Sequence, residues 1–137
     1  MKSFAFILCL SAVWLAGCAG GGPLADSRPA MTGTVAFRER MALPASAVLT
    51  VRLLDLTKPD RTEVVLAERS ISNPGQSPLP FTLPYPFGGI VAGRRYVIEA
   101  RIDVAGRLRF FSAEPHAVTP ANAAQPHDIL VVMTRRE

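Results

Sequence analysis

Cysteine is almost absent from this 137-residue chain: Cys9 and Cys18 are the only two, and both fall in the first eighteen positions. A disulfide framework is thereby excluded for the folded part, which has to stand on an apolar core. Histidine is as scarce. His116 and His127 lie eleven positions apart with no cysteine near them, too few ligands for a zinc site. No serine sits in a G-x-S-x-G elbow, and Phe87-Gly88-Gly89 lacks the lysine and the spacing of a phosphate loop. Each histidine reads as a loop residue beside Pro115 or Pro126, so no catalytic residues, no metal ligands and no enzymatic activity are expected.

There is little net charge either. Fifteen Lys+Arg stand against eleven Asp+Glu, and the excess falls further once Lys2 is set aside with the leader described below. Thirteen of the basic residues are arginine, so the pI near 9.7 reflects a small imbalance of a high-pKa residue type. Nucleic acid is not an expected partner. Nor is there an apolar run long enough to span a bilayer: Phe4 to Leu15 is about a dozen residues, against the ~20 a spanning helix requires.

That short run has another meaning. Met1-Lys2-Ser3 is a positive start, Phe4–Leu15 an apolar stretch, and Leu15-Ala16-Gly17-Cys18 a close of small residues, the pattern of an export signal. Leu15-Ala16-Gly17-Cys18 also resembles a bacterial lipobox, in which the chain is cut before the cysteine and Cys18 is acylated. Residues 1–17 are then a cleaved signal peptide, and several acyl chains such as palmitate on Cys18 hold the protein to membrane lipid, since each buried methylene contributes about 0.8 kcal/mol. Ala19-Gly20 follow where similar lipoproteins retained at the inner membrane carry an aspartate, which places the anchor in the outer membrane with the body on its periplasmic face. Residues 18–30, with Gly20-Gly21-Gly22, Pro23 and Pro29, have the composition of a flexible tether.

Residues 31–137 read as strands. Thr32–Phe37, Ala47–Leu56, Thr62–Ile71, Pro80–Pro84, Tyr96–Ser112 (a hairpin) and Asp128–Thr134 alternate or are apolar on both faces, with no sustained 3.6-residue period. Ala47–Leu56, apolar on both sides, is expected to be central and covered on both faces. Pro80–Pro84 is confined to an edge by its prolines. In the hairpin, a three-residue loop Val104-Ala105-Gly106 would pair Ile102 with Leu108 and Ala100 with Phe110, keeping apolar side chains together, whereas a two-residue turn would set Ile102 against Arg109. The fold class expected is all-β, an antiparallel β-sandwich of about seven strands.

At Val35-Ala36-Phe37-Arg38-Glu39-Arg40-Met41-Ala42-Leu43-Pro44 and Ala47–Asp55 the chain resembles the YbaY/YscW family of bacterial lipoproteins. Pro80-Phe81 to Pro84-Tyr85, Tyr96–Ile102 and Gly106–Phe110 are similar to the same family. The resemblance implies a small β-sandwich lipoprotein and, in the YscW branch, a pilotin: a lipid-anchored chaperone that helps a secretin reach and assemble in the outer membrane.

For partner binding, Phe81, Tyr85 and Phe87 in the proline-rich stretch 78–87 offer an apolar docking edge to which a client strand could add; the plainer reading folds these rings into the core. Arg101 and Arg109, with Arg52, Arg94, Arg95 and Arg107, could form a basic face for an acidic peptide or lipid headgroups. Glu99 and Asp103 among them favour an ordinary solvated sheet face. The function expected is a non-catalytic assembly factor for a secretin or another envelope protein. The alternative is a stand-alone envelope lipoprotein that binds a small ligand or polysaccharide through the loops Leu56–Arg61 and Asn73–Ser77, which lack the Trp or Tyr that sugars stack on.

Overall fold

The computed structural model describes residues 27–58, 60 and 62–135; the lipobox Leu15-Ala16-Gly17-Cys18 and most of the tether lie outside the described residues. The described residues contain nine strands and no helix: β1 (Ala30–Ala36), β2 (Ala47–Asp55), β3 (Val64–Ser72), β4 (Leu79–Pro84), β5 (Tyr96–Val104), β6 (Arg107–Phe111), β7 (His116–Val118), β8 (His127–Leu130) and β9 (Val132–Met133). They form two sheets. One has the order β4-β1-β8; the other runs β3-β2-β5-β6-β9, with β7 continuing the line of β6 along β5. The expected β-sandwich is therefore present, with one departure from antiparallel pairing: β1 and β8 run parallel.

Alternation explains the layering. Leu49, Val51 and Leu53 of β2, Ile98, Ala100 and Ile102 of β5, and Met31, Val35, Leu79, Phe81 and Leu83 of the smaller sheet are fully or nearly fully buried in one cluster. These are every-second-residue sets, which in a strand share one face. β2 is central, as its composition implies, but its second face is not covered throughout. Val48, Thr50 and Arg52 are only half-buried, and Leu54 alone is sealed on that side, opposite the buried Val97.

Two details correct the expected strand plan. The β5–β6 turn is the two-residue Ala105-Gly106, with φ of 51° and 76°, closing on Val104↔Arg107. Positive φ at both turn positions matches the twist of a tight hairpin. The register then slips by one between Ile102 and Asp103, so that Phe110, not Arg109, faces Ile102. The expected pairs Ile102–Leu108 and Ala100–Phe110 are therefore not formed: Leu108 faces Asp103 and is 40% exposed, while the bulge brings Phe110 to the core, where it stacks on Phe37 with ring centroids 4.6 Å apart. The second correction is at residues 128–134, which do not form one strand. β8 belongs to the small sheet and β9 to the large one, and the buried Val131 between them, its N–H bonded to the Ala36 carbonyl at 2.9 Å, is the corner.

Candidate functional site

A sheet edge can take up a partner strand only where backbone N–H and C=O groups point outward and nothing blocks them. On β4, Tyr85 donates to the Pro29 carbonyl at 2.9 Å, in the same register as the rest of the β1–β4 ladder. Residues 79, 81 and 83 therefore turn their backbone groups to β1, and residues 80, 82 and 84 turn theirs outward. Two of those three are proline. Thr82 is left as the single outward donor, and the edge is closed to strand addition.

The side chains agree. Phe81, expected on a docking edge, is 4% exposed within the core cluster, so its ring is not available to a partner and a charge placed there would be buried unpaired. Tyr85 is half-buried against the same cluster. Phe87 alone of the three stands out, 70% exposed.

The edge of β3 carries a different block. Arg69 lies opposite Val51 on the core-facing side of its strand yet remains exposed, an inward-pointing charge at the margin. β7 and β9 are three and two residues long.

β8 has neither protection. Its odd-numbered residues bond toward β1, as the Val131 N–H to the Ala36 carbonyl shows, so the backbone groups of Asp128 and Leu130 face outward, with no proline among them. That edge opens on a cleft of about 440 Å³, lined by Arg38 after β1, Glu114 and Pro115 before β7, His116 at its start, Asp128 to Leu130, and Val132. No ion pair joins Arg38 and Glu114 on its two lips. The Asp128 carboxylate accepts from Thr34 Oγ1 at 2.9 Å, and Leu130 is 45% exposed. β8 can lie this close to β1 because position 33 is glycine: a Cβ there would sit 1.9 Å from the His127 carbonyl oxygen.

The two histidines, expected in loops, each open a strand and meet across the interior at the cleft's margin. His116 Nε2 and His127 Nδ1 are 3.0 Å apart, with the rings edge to face. His127 is 2% exposed and its Nε2 makes no hydrogen bond. Burial, reinforced by His116, holds its pKa below the ordinary histidine value. Each histidine follows a proline, at Pro115-His116 and Pro126-His127, which suggests a loop and gives no sign of the contact. The described residues contain no group of three or more His, Cys, Asp or Glu that could hold a metal.

The arginines do not assemble into an open basic face. Arg101 is held in a fork by Asp103, at 2.8 and 2.6 Å, which with Glu68 and Glu99 raises its pKa. Arg52 bonds Glu99 at 2.6 Å, Arg94 reaches Asp55 at 3.5 Å, and Arg109 is half-buried in the bulged strand. For the carbohydrate alternative, the hollow beside the 56–61 loop is only about 130 Å³ and has no aromatic lining. Gln76 in the 73–77 loop is exposed, with both ends of its amide committed to the N–H and the carbonyl of Leu43.

Comparison with known proteins agrees with this architecture. The uncharacterized lipoprotein YbaY of Escherichia coli (strain K12) is 36% identical over 89 residues, 64% of this chain and 47% of that protein, so the match spans about half the length of the relative. A solved structure of an alternative pilotin from the type II secretion system of Vibrio cholerae superposes with a TM-score of 0.72 at 38% identity, covering 78% of this chain and 97% of that one. Residues 26–131 match the YscW family, described as the type III secretion system lipoprotein chaperone. With nearly the whole β-sandwich inside that match, the chain belongs to the YscW family.

Proposed function

We propose that this chain is a pilotin-like chaperone anchored in the outer membrane through acylated Cys18, and that the cleft beside β8 receives an extended segment of its client, a secretin or another envelope assembly protein. The likeness to a solved pilotin, 38% identical and covered over 97% of its length, carries the reading. The geometry supplies a way of working that needs no catalysis. Lipid fixes the location, and the outward N–H and C=O groups of Asp128 and Leu130 hold an extended backbone, whose alternate side chains meet the cleft. Arg38 and Glu114, on opposite lips, favour a segment carrying an acid and a base in matching order.

The test is crosslinking in the cell of origin, with mass spectrometry of what co-purifies and Cys18→Ala as the control. Recovery of a secretin or another outer-membrane assembly protein, lost in the control, is the expected result. Recovery of abundant envelope proteins alone, unchanged in the control, overturns it.

A further inference from the structure

The end of the sandwich where the chain enters carries a loop whose apolar tip, Phe87 and Val91, neither the core nor the cleft uses. Tyr85, which follows β4, donates to the Pro29 carbonyl at 2.9 Å, so the 85–95 loop begins beside the first described residues. Ser27 is nine residues beyond Cys18. Whatever path those residues take, they reach at most about 30 Å. The loop, Tyr-Pro-Phe-Gly-Gly-Ile-Val-Ala-Gly-Arg-Arg, has no acidic residue and two arginines. Phe87 is 70% and Val91 47% exposed.

This loop is pinned rather than loose. Tyr85 and Ile90 pack against the core, the Gly89 N–H bonds the Pro86 carbonyl at 3.0 Å, and the Val91 N–H bonds the Tyr96 hydroxyl at 3.1 Å. At its base the Arg95 N–H bonds Thr57 Oγ1 at 3.0 Å, which brings the exposed Lys58 alongside. Asp55 is engaged by Thr57 and Arg94, while Asp60 and Glu63 lie farther along the neighbouring loop.

We infer that the 85–95 loop seats on the lipid surface to which Cys18 is anchored, with Phe87 and Val91 at the acyl boundary and Arg95 and Lys58 at anionic headgroups. The inference rests on the acylation of Cys18 proposed above. An aromatic and an aliphatic tip above guanidinium and ammonium groups is the composition of an interfacial contact, and the tether confines the domain to the one surface that suits it. β1 runs seven residues from this end to Ala36, so the cleft's Arg38, past the far end of that strand, lies more than about 20 Å away along the strand direction.

The test uses the full chain, exported, processed and reconstituted into vesicles of phosphatidylethanolamine and phosphatidylglycerol, part of the lipid brominated on its acyl chains. The chain's single tryptophan, Trp14, precedes Cys18, so Phe87→Trp gives the mature protein one reporter. Met41→Trp, an exposed position in the loop at the opposite end, is the comparison. Emission from the Phe87→Trp protein is expected at shorter wavelength and quenched in proportion to the brominated lipid, the Met41→Trp protein unaffected, and Arg95→Glu in the Phe87→Trp background less quenched. Equal or absent quenching at the two positions in vesicle-bound, acylated protein overturns the seating alone. A mature mass without acyl groups, together with loss of protein from the vesicle fraction, overturns the anchor and the seating with it.

Discussion

His127 shows how one side chain sets a condition on the fold. Its ring is buried at the meeting of the two sheets, bonded to His116, and kept neutral by its surroundings. Because its folded pKa is below its unfolded value, protonation favours the unfolded chain: this contribution to stability is complete above about pH 6.5 and is lost as the pH falls through the folded pKa. Thermal melts between pH 7.5 and pH 5 are expected to show a falling midpoint, and His127→Gln should flatten that slope whatever it does to the midpoint at pH 7.5. An unchanged slope would mean that other groups carry the acid sensitivity. Phe81 makes the complementary point about reading residues. Its burial was legible in the alternation Leu79, Phe81, Leu83 against Pro80, Thr82, Pro84, the same alternation that points both prolines outward. The histidine contact was not legible, because it depends on β7 and β8 lying in different sheets, which no local pattern records.

Among the strands, the edges decide what the molecule can bind. β4 is closed by proline and β3 by an inward arginine, while β8 offers Asp128 and Leu130 to the cleft. Leu130→Pro removes an outward N–H without touching the bonds to β1, and is expected to weaken client capture at least about tenfold, equivalent to ~1.4 kcal/mol. Thr82→Pro makes the same change on the closed edge and should leave capture as it was. Crosslinked yield, with amide exchange at Ile129 and Val131 to confirm that β8 is still paired, measures both; equal loss in the two variants would remove β8 from the mechanism. Strand positions were largely visible in the sequence, since β2, β4 and the β5–β6 hairpin follow two-residue periodicity between turn residues. The bulge and the corner at Val131 were not. Both preserve the inward set of side chains while changing the backbone path, and periodicity reports only the former.

At the scale of the whole molecule, the inferred lipid contact lies at one end while the cleft follows β8 along the side toward Arg38, so the length of the tether should affect them differently. Inserting twenty Gly/Ser residues after Gly22 raises the separation of Cys18 from Ser27 from nine residues to about twenty-nine, and the effective concentration of the 85–95 loop at the surface falls roughly sixfold. Quenching of the Phe87→Trp protein should drop accordingly, while crosslinking to a client through the cleft persists. Coincident loss of both would show that docking requires the seated orientation.

The parallel pairing of β1 with β8 has a further consequence, in time rather than space. Thr34 and Asp128, which bond across that pair, are 94 residues apart in the chain. β1 can pair with β4 once residue 84 has been made, but its β8 side cannot close until residues near 130 have been synthesised, and contacts of such long sequence separation form slowly. The sandwich therefore stays incomplete until nearly the whole chain has been made, and an incomplete fold is the state an export channel accepts.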